Sequence, residues 1–290
     1  MEKYKTIIDD WGAFKAERDE HPVNIARKNT LKASEDFEEQ LRESFDKVEQ
    51  ASWNEKIFRL KNTETPGKTR LHWRGEYYVQ EESAALPVKA LDPQPGERVL
   101  DMCAAPGGKA TQIAERMNNE GLVVANDDSA QRMKSLHANV YRTGSACITA
   151  TNYDGRGLPE DKQYDRILVD APCSGEGDRF YRTFEPAEQH EIEGLAELQK
   201  QLVDKAVSLL KEGGVLVYST CTLTPEENES VVKHLIDQGM TLEEFDPDIE
   251  HVKGVESFEG ENYGEEMNKA VRVYPHHLNS GVIFVARFRK

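Results

Sequence analysis

Two stretches of this chain set a thiol where an apolar run gives way to small and polar residues. "DAPCSGEG" (170–177) places Asp170 three positions before Cys173, and "YSTCTLTPEEN" (218–228) places Cys221 at the end of a second apolar run. A cysteine thiol titrates near pH 8.5, so about a few per cent is thiolate at neutral pH, and that fraction is strongly nucleophilic. If the two runs are neighbouring strands, about 4.8 Å apart in a sheet, both sulfurs open on the same edge. One of them could be a nucleophile, and the pattern alone does not choose between them. Cys147, at the start of a strand-like run, and Cys103, inside a glycine turn, read as structural, since a buried free cysteine behaves as a small hydrophobe. The four cysteines show no CxxC pair and no histidine at zinc spacing, so no metal site is expected.

A target that needs covalent activation suits such a thiol, and cytosine is one. Its C5 cannot attack a methyl donor until a thiolate adds to C6 and turns C5 into a nucleophilic enamine. An acid near N3, for which Asp170 is suitably placed, stabilises the charge that gathers on the ring. Loss of the C5 proton then expels the thiol, which leaves work for a second sulfur or base.

The elements that must position these groups follow from residue 98 onward. "RVLDMC" (98–103), "LVVAND" (122–127), "CITATN" (147–152), "DRILVD" (165–170) and "VLVYST" (215–220) are short apolar runs. Helical patterns over 108–118, 129–142, 188–211 and 225–238 alternate with them. This alternation predicts an α/β domain with a mostly parallel sheet covered on both faces. Thr224, Pro225 and Glu227 read as the N-cap, first turn and capping box of the last helix. "GVIFVARF" (281–288) adds one more strand, expected antiparallel to its neighbour.

In such a sheet a ligand binds beyond the carboxyl ends of the strands, at the switch in strand order. "CAAPGGKAT" follows the first run: Pro106 turns the chain, and Gly107 and Gly108 let backbone approach a ligand closely. Cys103 and Ala110 stand where a Walker A loop needs glycine and Ser/Thr, and the spacing is not GxGxxG either. Asp127 closes the second strand, where a carboxylate can hold the ribose hydroxyls of a nucleoside. Asp154 follows the third, within reach of an adenine edge or a cofactor amine. Together these favour a nucleoside cofactor.

Residues 1–85 read as a separate small α+β module, with a helix over 33–45 capped by Ser34 between strand-like 24–31 and 56–61; the main domain is expected over 86–290. At 38% hydrophobic residues and a mean hydropathy of −0.70 the chain reads as soluble. No apolar run is long enough to span a membrane, and the first residues lack the apolar core of a secretory signal, so a cytoplasmic protein is expected. The net charge of −16 argues against indiscriminate phosphate clamping. Residues 241–267 hold ten carboxylates against one lysine, so elsewhere the imbalance is mild.

"LDMCAAPGGKATQIAERM", "VDAPCSGEG" and "VYSTCTLTPEENE", in this order, resemble the Nop/Sun family of RNA cytosine-C5 methyltransferases. "ARKNTLK", "YYVQEESAALPVKAL" and "RVYPHHLNSGVIFVARFRK" extend the likeness over most of the chain. The resemblance implies a Rossmann-like class I methyltransferase fold with a mostly parallel seven-stranded sheet. It implies that Cys103, Ala104, Ala105, Pro106, Gly107, Gly108 and Lys109 form the S-adenosylmethionine loop, with Asp127, Asp154 and Asp170 as further cofactor contacts. It also resolves the choice of sulfur: the family's nucleophile is the cysteine here numbered Cys221, while Cys173 helps to release product, and Asp170 completes the catalytic set. Lys109 is a candidate for positioning Asp170 or the base.

The loop after the PCSGEG motif departs from the family's common basic pair. Its Arg179, Phe180, Tyr181 and Arg182 suit stacking on an unpaired base. His137, His276 and His277 are weaker candidates for RNA contact. The expected partner is structured RNA, with tRNA favoured over rRNA from size alone, bound by a monomer through few phosphate contacts. A non-catalytic ribosome-assembly factor and a DNA methyltransferase are the rival readings.

Overall fold

The structure, a computed structural model, describes residues 1–20, 22–61, 63–160 and 163–290. A short helix, α1 (Trp11–Ala16), precedes a four-stranded antiparallel sheet built from β1 (Asn24–Lys28), β2 (Lys47–Ala51), β3 (Asn54–Lys61) and β4 (Tyr77–Glu81) in the order β2-β3-β1-β4. Helices α2 (Phe37–Ser44) and α3 (Arg70–Arg74) belong to the same unit, and Phe37, Leu41, Phe58, Leu71 and Tyr77 form its core. The helix expected over 33–45 is shorter, and Ser34 does not cap it. Its hydroxyl and N–H both donate to Glu76 instead, at 2.9 and 3.1 Å. Asp36 occupies the N-cap position without a side-chain bond to the N–H groups of the first turn.

The main domain begins with α4 (Leu86–Leu91) and continues with β5 (Arg98–Asp101), α5 (Gly108–Arg116), β6 (Leu122–Asn126), α6 (Ala130–Thr143) and β7 (Ile148–Thr151). Next come β8 (Tyr164–Asp170), α7 (Glu176–Arg182), α8 (Gln189–Leu209), β9 (Leu210–Thr220) and α9 (Glu229–Asp237). The acidic stretch forms only short pieces, β10 (Thr241–Glu243), β11 (Val252–Lys253), β12 (Ser257–Phe258) and β13 (Glu261–Asn262). Then β14 (Val271–Val273), α10 (Pro275–Leu278) and β15 (Ile283–Arg289) close the chain.

Strands run in the order β11-β14-β15-β9-β8-β5-β6-β7, with β10 on β15. The five from β5 to β9 are parallel, and β15 is antiparallel to β9 as expected. Successive residues explain why these runs are continuously apolar. Leu100, Ile167, Leu216 and Tyr218 join Leu202 and Val231 on one face, while Val99, Leu168, Val215 and Val217 join Leu86 and Ile113 on the other. Strand order reverses at β5, which puts the switch point at its carboxyl end.

The first fourteen residues pack on the main core rather than on the four-stranded sheet. Met1, Tyr4, Ile8 and Phe14 are buried there, Tyr4 donates to Glu176 at 2.8 Å, and Tyr274 donates to the Ile7 carbonyl at 2.9 Å. The helix expected from 225 begins at Glu229, because residues 225–228 form a separate turn. Thr224 Oγ1 does accept the Glu227 N–H at 3.2 Å, but the Glu227 carboxylate accepts from the Thr224 hydroxyl, Ser174 and Gln199 and not from the Thr224 N–H.

Candidate active site

β5, β8 and β9 end side by side, and the residues just past them meet. The loop after β5 turns through Gly107, at φ +107°, into the start of α5, and this brings Lys109 over the end of β8. Lys109 Nζ donates to Asp170 Oδ2 at 2.7 Å, and Ser219 Oγ donates to the other oxygen, also at 2.7 Å. Burial works against the ammonium of Lys109, but Asp170 and Asp101 outweigh it and hold the group above its ordinary range.

The two sulfurs that the motifs singled out are in contact. Cys173 Sγ lies 3.3 Å from Cys221 Sγ, and Cys221 is the more exposed. Their surroundings differ in sign. The hydrogen bond from Cys173 draws Cys221 below the usual thiol range, against burial and Asp170, and Lys109 adds to the pull. Cys173 is pushed well above that range by the same bond, by burial and by Glu227. The two environments thus favour the thiolate at Cys221 and the thiol at Cys173. Cys103 is raised by burial, as a structural thiol should be.

Asp101 was not singled out from sequence. It is fully buried at the end of β5, and neither of its oxygens has a hydrogen bond of ordinary geometry among the described residues. Burial, reinforced by Asp170, raises its carboxyl to about 7. The signal was available, because an acid closing a strand is the same pattern that marked Asp127.

Beside Asp101 and Asp170 opens a cleft of about 270 Å³. Cys103, Ala104, Ala105, Pro106, Gly108 and Lys109 line one side, and Tyr78, Val79 and Gln80 of β4 line the other. A nucleoside carrying a positive sulfonium and ammonium fits this donor set. Two carboxylates face it, one of them unpartnered, and a Cβ on Gly108 would lie 3.3 Å from the Tyr78 ring. The contribution of β4 was also missed; an aromatic pair before a Gln-Glu turn gives no local sign of it.

Asp127 and Asp154 are not in the cleft lining. Asp127 is buried and accepts the N–H groups of Ala105 and Ser129 at 3.1 and 3.0 Å, so it shapes the glycine turn from behind. Asp154 is exposed and paired with Arg156 at 2.6 Å. The segment expected to be a base-stacking loop is instead the helix α7, and it is only partly free. Phe180 is fully buried against Phe14, ring centroids 4.4 Å apart, and Arg179 pairs with Glu191. Tyr181 is half-buried and Arg182 is exposed.

His276 and His277 both face Asp9, with Nε2 to carboxylate distances of 3.0 Å. His277 Nδ1 accepts the Tyr274 N–H, which fixes its proton on Nε2. The pair thus clamps the chain's first turn to α10 by hydrogen bonds. His137 is exposed on α6.

A parallel sheet of this order, with a glycine loop at the switch point and acids at neighbouring strand ends, defines a class I methyltransferase. The chain belongs to the family described as 16S rRNA methyltransferase RsmB/F, which it matches over residues 88–289, and residues 1–82 match the N-terminal domain of 16S rRNA methyltransferase RsmF. The family relationship indicated by the motifs therefore holds. Ribosomal RNA small subunit methyltransferase F of Escherichia coli O157:H7 (strain EC4115 / EHEC) is 44% identical over 236 residues, covering 77% of this chain and 47% of that protein. The chain spans about half the length of the curated relatives it matches. Among solved structures, a methyltransferase homolog protein from Pyrococcus horikoshii is similar with a TM-score of 0.83 at 32% identity, covering 97% of this chain and 92% of that one. The protein PH0851 is similar with a TM-score of 0.87 at 29% identity, covering 100% of this chain and 65% of that one. No helix among the described residues is long and apolar enough to cross a membrane.

Proposed function

We propose that this protein methylates C5 of a cytosine in small-subunit ribosomal RNA, with S-adenosylmethionine as donor. The observation that carries the reading is the contact of Cys173 and Cys221 at 3.3 Å, beside the Lys109–Asp170 pair and the cleft. The relatives' names favour rRNA over the tRNA target that size alone suggested.

Bound in the cleft, the donor supplies an electrophilic sulfonium methyl. Asp101 and Asp170 offer it negative charge, and the Ala104–Gly108 backbone accommodates its close approach. On the family pattern Asp127 and Asp154 serve its nucleoside end, for which Asp127 must turn out from behind the glycine loop and Asp154 must release Arg156. The target cytosine has to leave its stack, since C5 and C6 are shielded within a helix. Cys221, the member of the pair whose thiolate is favoured, adds to C6 as its anion, forming a C–S bond and placing the electron pair on the ring. Asp170, held by Lys109 and Ser219, faces the N3 edge and meets the gathering charge by handing on a proton drawn from the Lys109 ammonium. After methyl transfer solvent water takes the C5 proton, the C5–H electron pair restores the C5–C6 double bond, and the C6–S bond breaks with its pair returning to Cys221 as thiolate, which accepts the Cys173 S–H hydrogen bond.

On the same reading residues 1–85 engage RNA and residues 86–290 carry out the chemistry, in a cytoplasmic monomer. The test uses RNA containing 5-fluorocytosine, whose C5–F bond blocks elimination and traps the adduct on a denaturing gel. The adduct should vanish in Cys221→Ala; its survival there refutes the assignment of the nucleophile. Cys173→Ala should accumulate a covalent complex with ordinary RNA, and normal turnover would remove its release role. Bisulfite sequencing of RNA from a deletion strain then identifies the cytosine.

A further inference from the structure

In a chain with 53 acidic residues, 22–34, 65–75 and 129–153 are among the stretches that contain none. The fold joins these three. Lys32 Nζ donates to the Arg142 carbonyl at 3.0 Å, Asn29 donates to the carbonyls of Gly75 and Thr143 at 2.7 Å each, and Arg142 donates to the His72 carbonyl at 3.0 Å. Helices α3 and α6 pack so closely that a Cβ on Gly75 would lie 1.8 Å from the Arg142 oxygen.

This joined face carries two aromatic rings with no cover. Trp73 on α3 is 81% exposed and Tyr141 on α6 is 89% exposed, the highest values for large hydrophobic side chains among the described residues. Around them Arg70, Lys134 and Lys32 are exposed, and none has a carboxylate partner among the described residues. Arg74 and Arg132, at the borders, do pair, with Glu76 and Asp127. Lys134 and Tyr141 are seven residues apart on one helix, two turns along a single face. The same helix supports the glycine loop: Asn139 donates to the Pro106 carbonyl at 2.9 Å and Arg132 to that of Ala105.

We infer that the α3–α6 face docks single-stranded RNA flanking the target. Trp73 and Tyr141 each stack on an unpaired base, and Arg70, Lys134 and Lys32 meet phosphates. The inference rests on the RNA reading above. Isolated rings set among unpaired cations match a polyanion with π faces, whereas a protein contact builds a continuous apolar centre inside a polar rim.

The test measures fluorescence anisotropy of a labelled single-stranded RNA, roughly the 16 nucleotides that the larger single-strand sites cover, against the wild type, Trp73→Ala/Tyr141→Ala and Arg70→Gln/Lys134→Gln. Each lost ring should weaken binding about five- to hundredfold. The charge variant should reduce the slope of log K against log salt by about 0.7 per removed contact. Unchanged affinity in the aromatic double variant overturns the docking surface. So does a loss confined to self-association in sedimentation velocity, which would make the face a protein contact.

Adduct trapping on saturating 5-fluorocytosine RNA separates this inference from the function. An aromatic variant that traps normally but binds weakly supports the surface. A wild type that binds RNA through these rings yet never traps supports the surface while refuting methyl transfer. A wild type that binds no RNA refutes both.

Discussion

The Glu227 carboxylate accepts the Ser174 N–H at 3.0 Å and so ties the loop carrying Cys173 to the turn that follows Cys221. Ser174 Oγ also donates to it, Gln199 donates at 2.7 Å, and Thr224 donates at 3.2 Å. Burial pushes the carboxyl above its ordinary range, and these donors oppose the rise. Glu227→Gln turns an acceptor into a donor facing donors, so stability should fall by about 1–3 kcal/mol. Because Glu227 does not line the cleft, turnover should drop while donor affinity holds. Urea unfolding and S-adenosylhomocysteine titration check the two halves separately.

Asp101 predicts a pH dependence. An unfolded aspartate loses its proton near pH 3.9, whereas Asp101 in the fold keeps it to about 7. Between these values the folded state holds the extra proton, so this group makes stability fall as pH rises, and above pH ~7 the whole burial penalty is present. Asp101→Asn should remove that slope and raise the urea midpoint at neutral pH. A cationic donor in the cleft should lower the Asp101 pKa, so binding near pH ~7 should release protons. Calorimetry in buffers of different ionisation enthalpy measures that release.

Lys109 links donor loop and nucleophile. Lys109→Gln leaves Asp170 with the Ser219 hydroxyl alone and removes the cation that favours the Cys221 anion. Iodoacetamide labelling of Cys221 at neutral pH should slow, and adduct formation should fall by about a hundredfold or more. Labelling at the wild-type rate would show that Lys109 only closes the turn.

A buried ion pair fastens β14 to the start of α9. Arg272 donates to Glu229 at 2.7 and 2.5 Å, with side-chain exposures of 1% and 0%, and to the Leu223 carbonyl at 2.9 Å. Arg272→Met strands a buried carboxylate and should cost about 3–5 kcal/mol. Arg272→Met/Glu229→Leu should recover much of that loss, which chemical denaturation of the three proteins would reveal.

The parallel strands were legible because burial on both faces leaves an unbroken apolar run, as in "DRILVD". β2 was not, because "KVEQA" is a half-exposed edge strand that places a single fully buried side chain. Thr224 and Glu227 have the spacing of a capping box, yet Ser174, 53 residues away, decides what the carboxylate does. Ser34 fails as a cap for the same reason: Glu76 reaches it from across the module. Cys173, Cys221 and Asp170 could be read as a set because each lies at or just past the carboxyl end of a strand, where chain direction gathers side chains, and the family resemblance added Lys109. Phe180 could not, since its burial depends on Phe14 arriving from the far end of the sequence.

The strand order also sorts charge across the molecule. The carboxylate-crowded segment ends the sheet at β11, whereas α6, with no acid along its length, covers the opposite margin at β7. Such a separation is a permanent electric dipole, and a nucleic acid exerts a torque on it before any contact forms. Dilute salt should therefore speed productive encounters by turning the molecule to meet its substrate the right way round, even though its total charge repels.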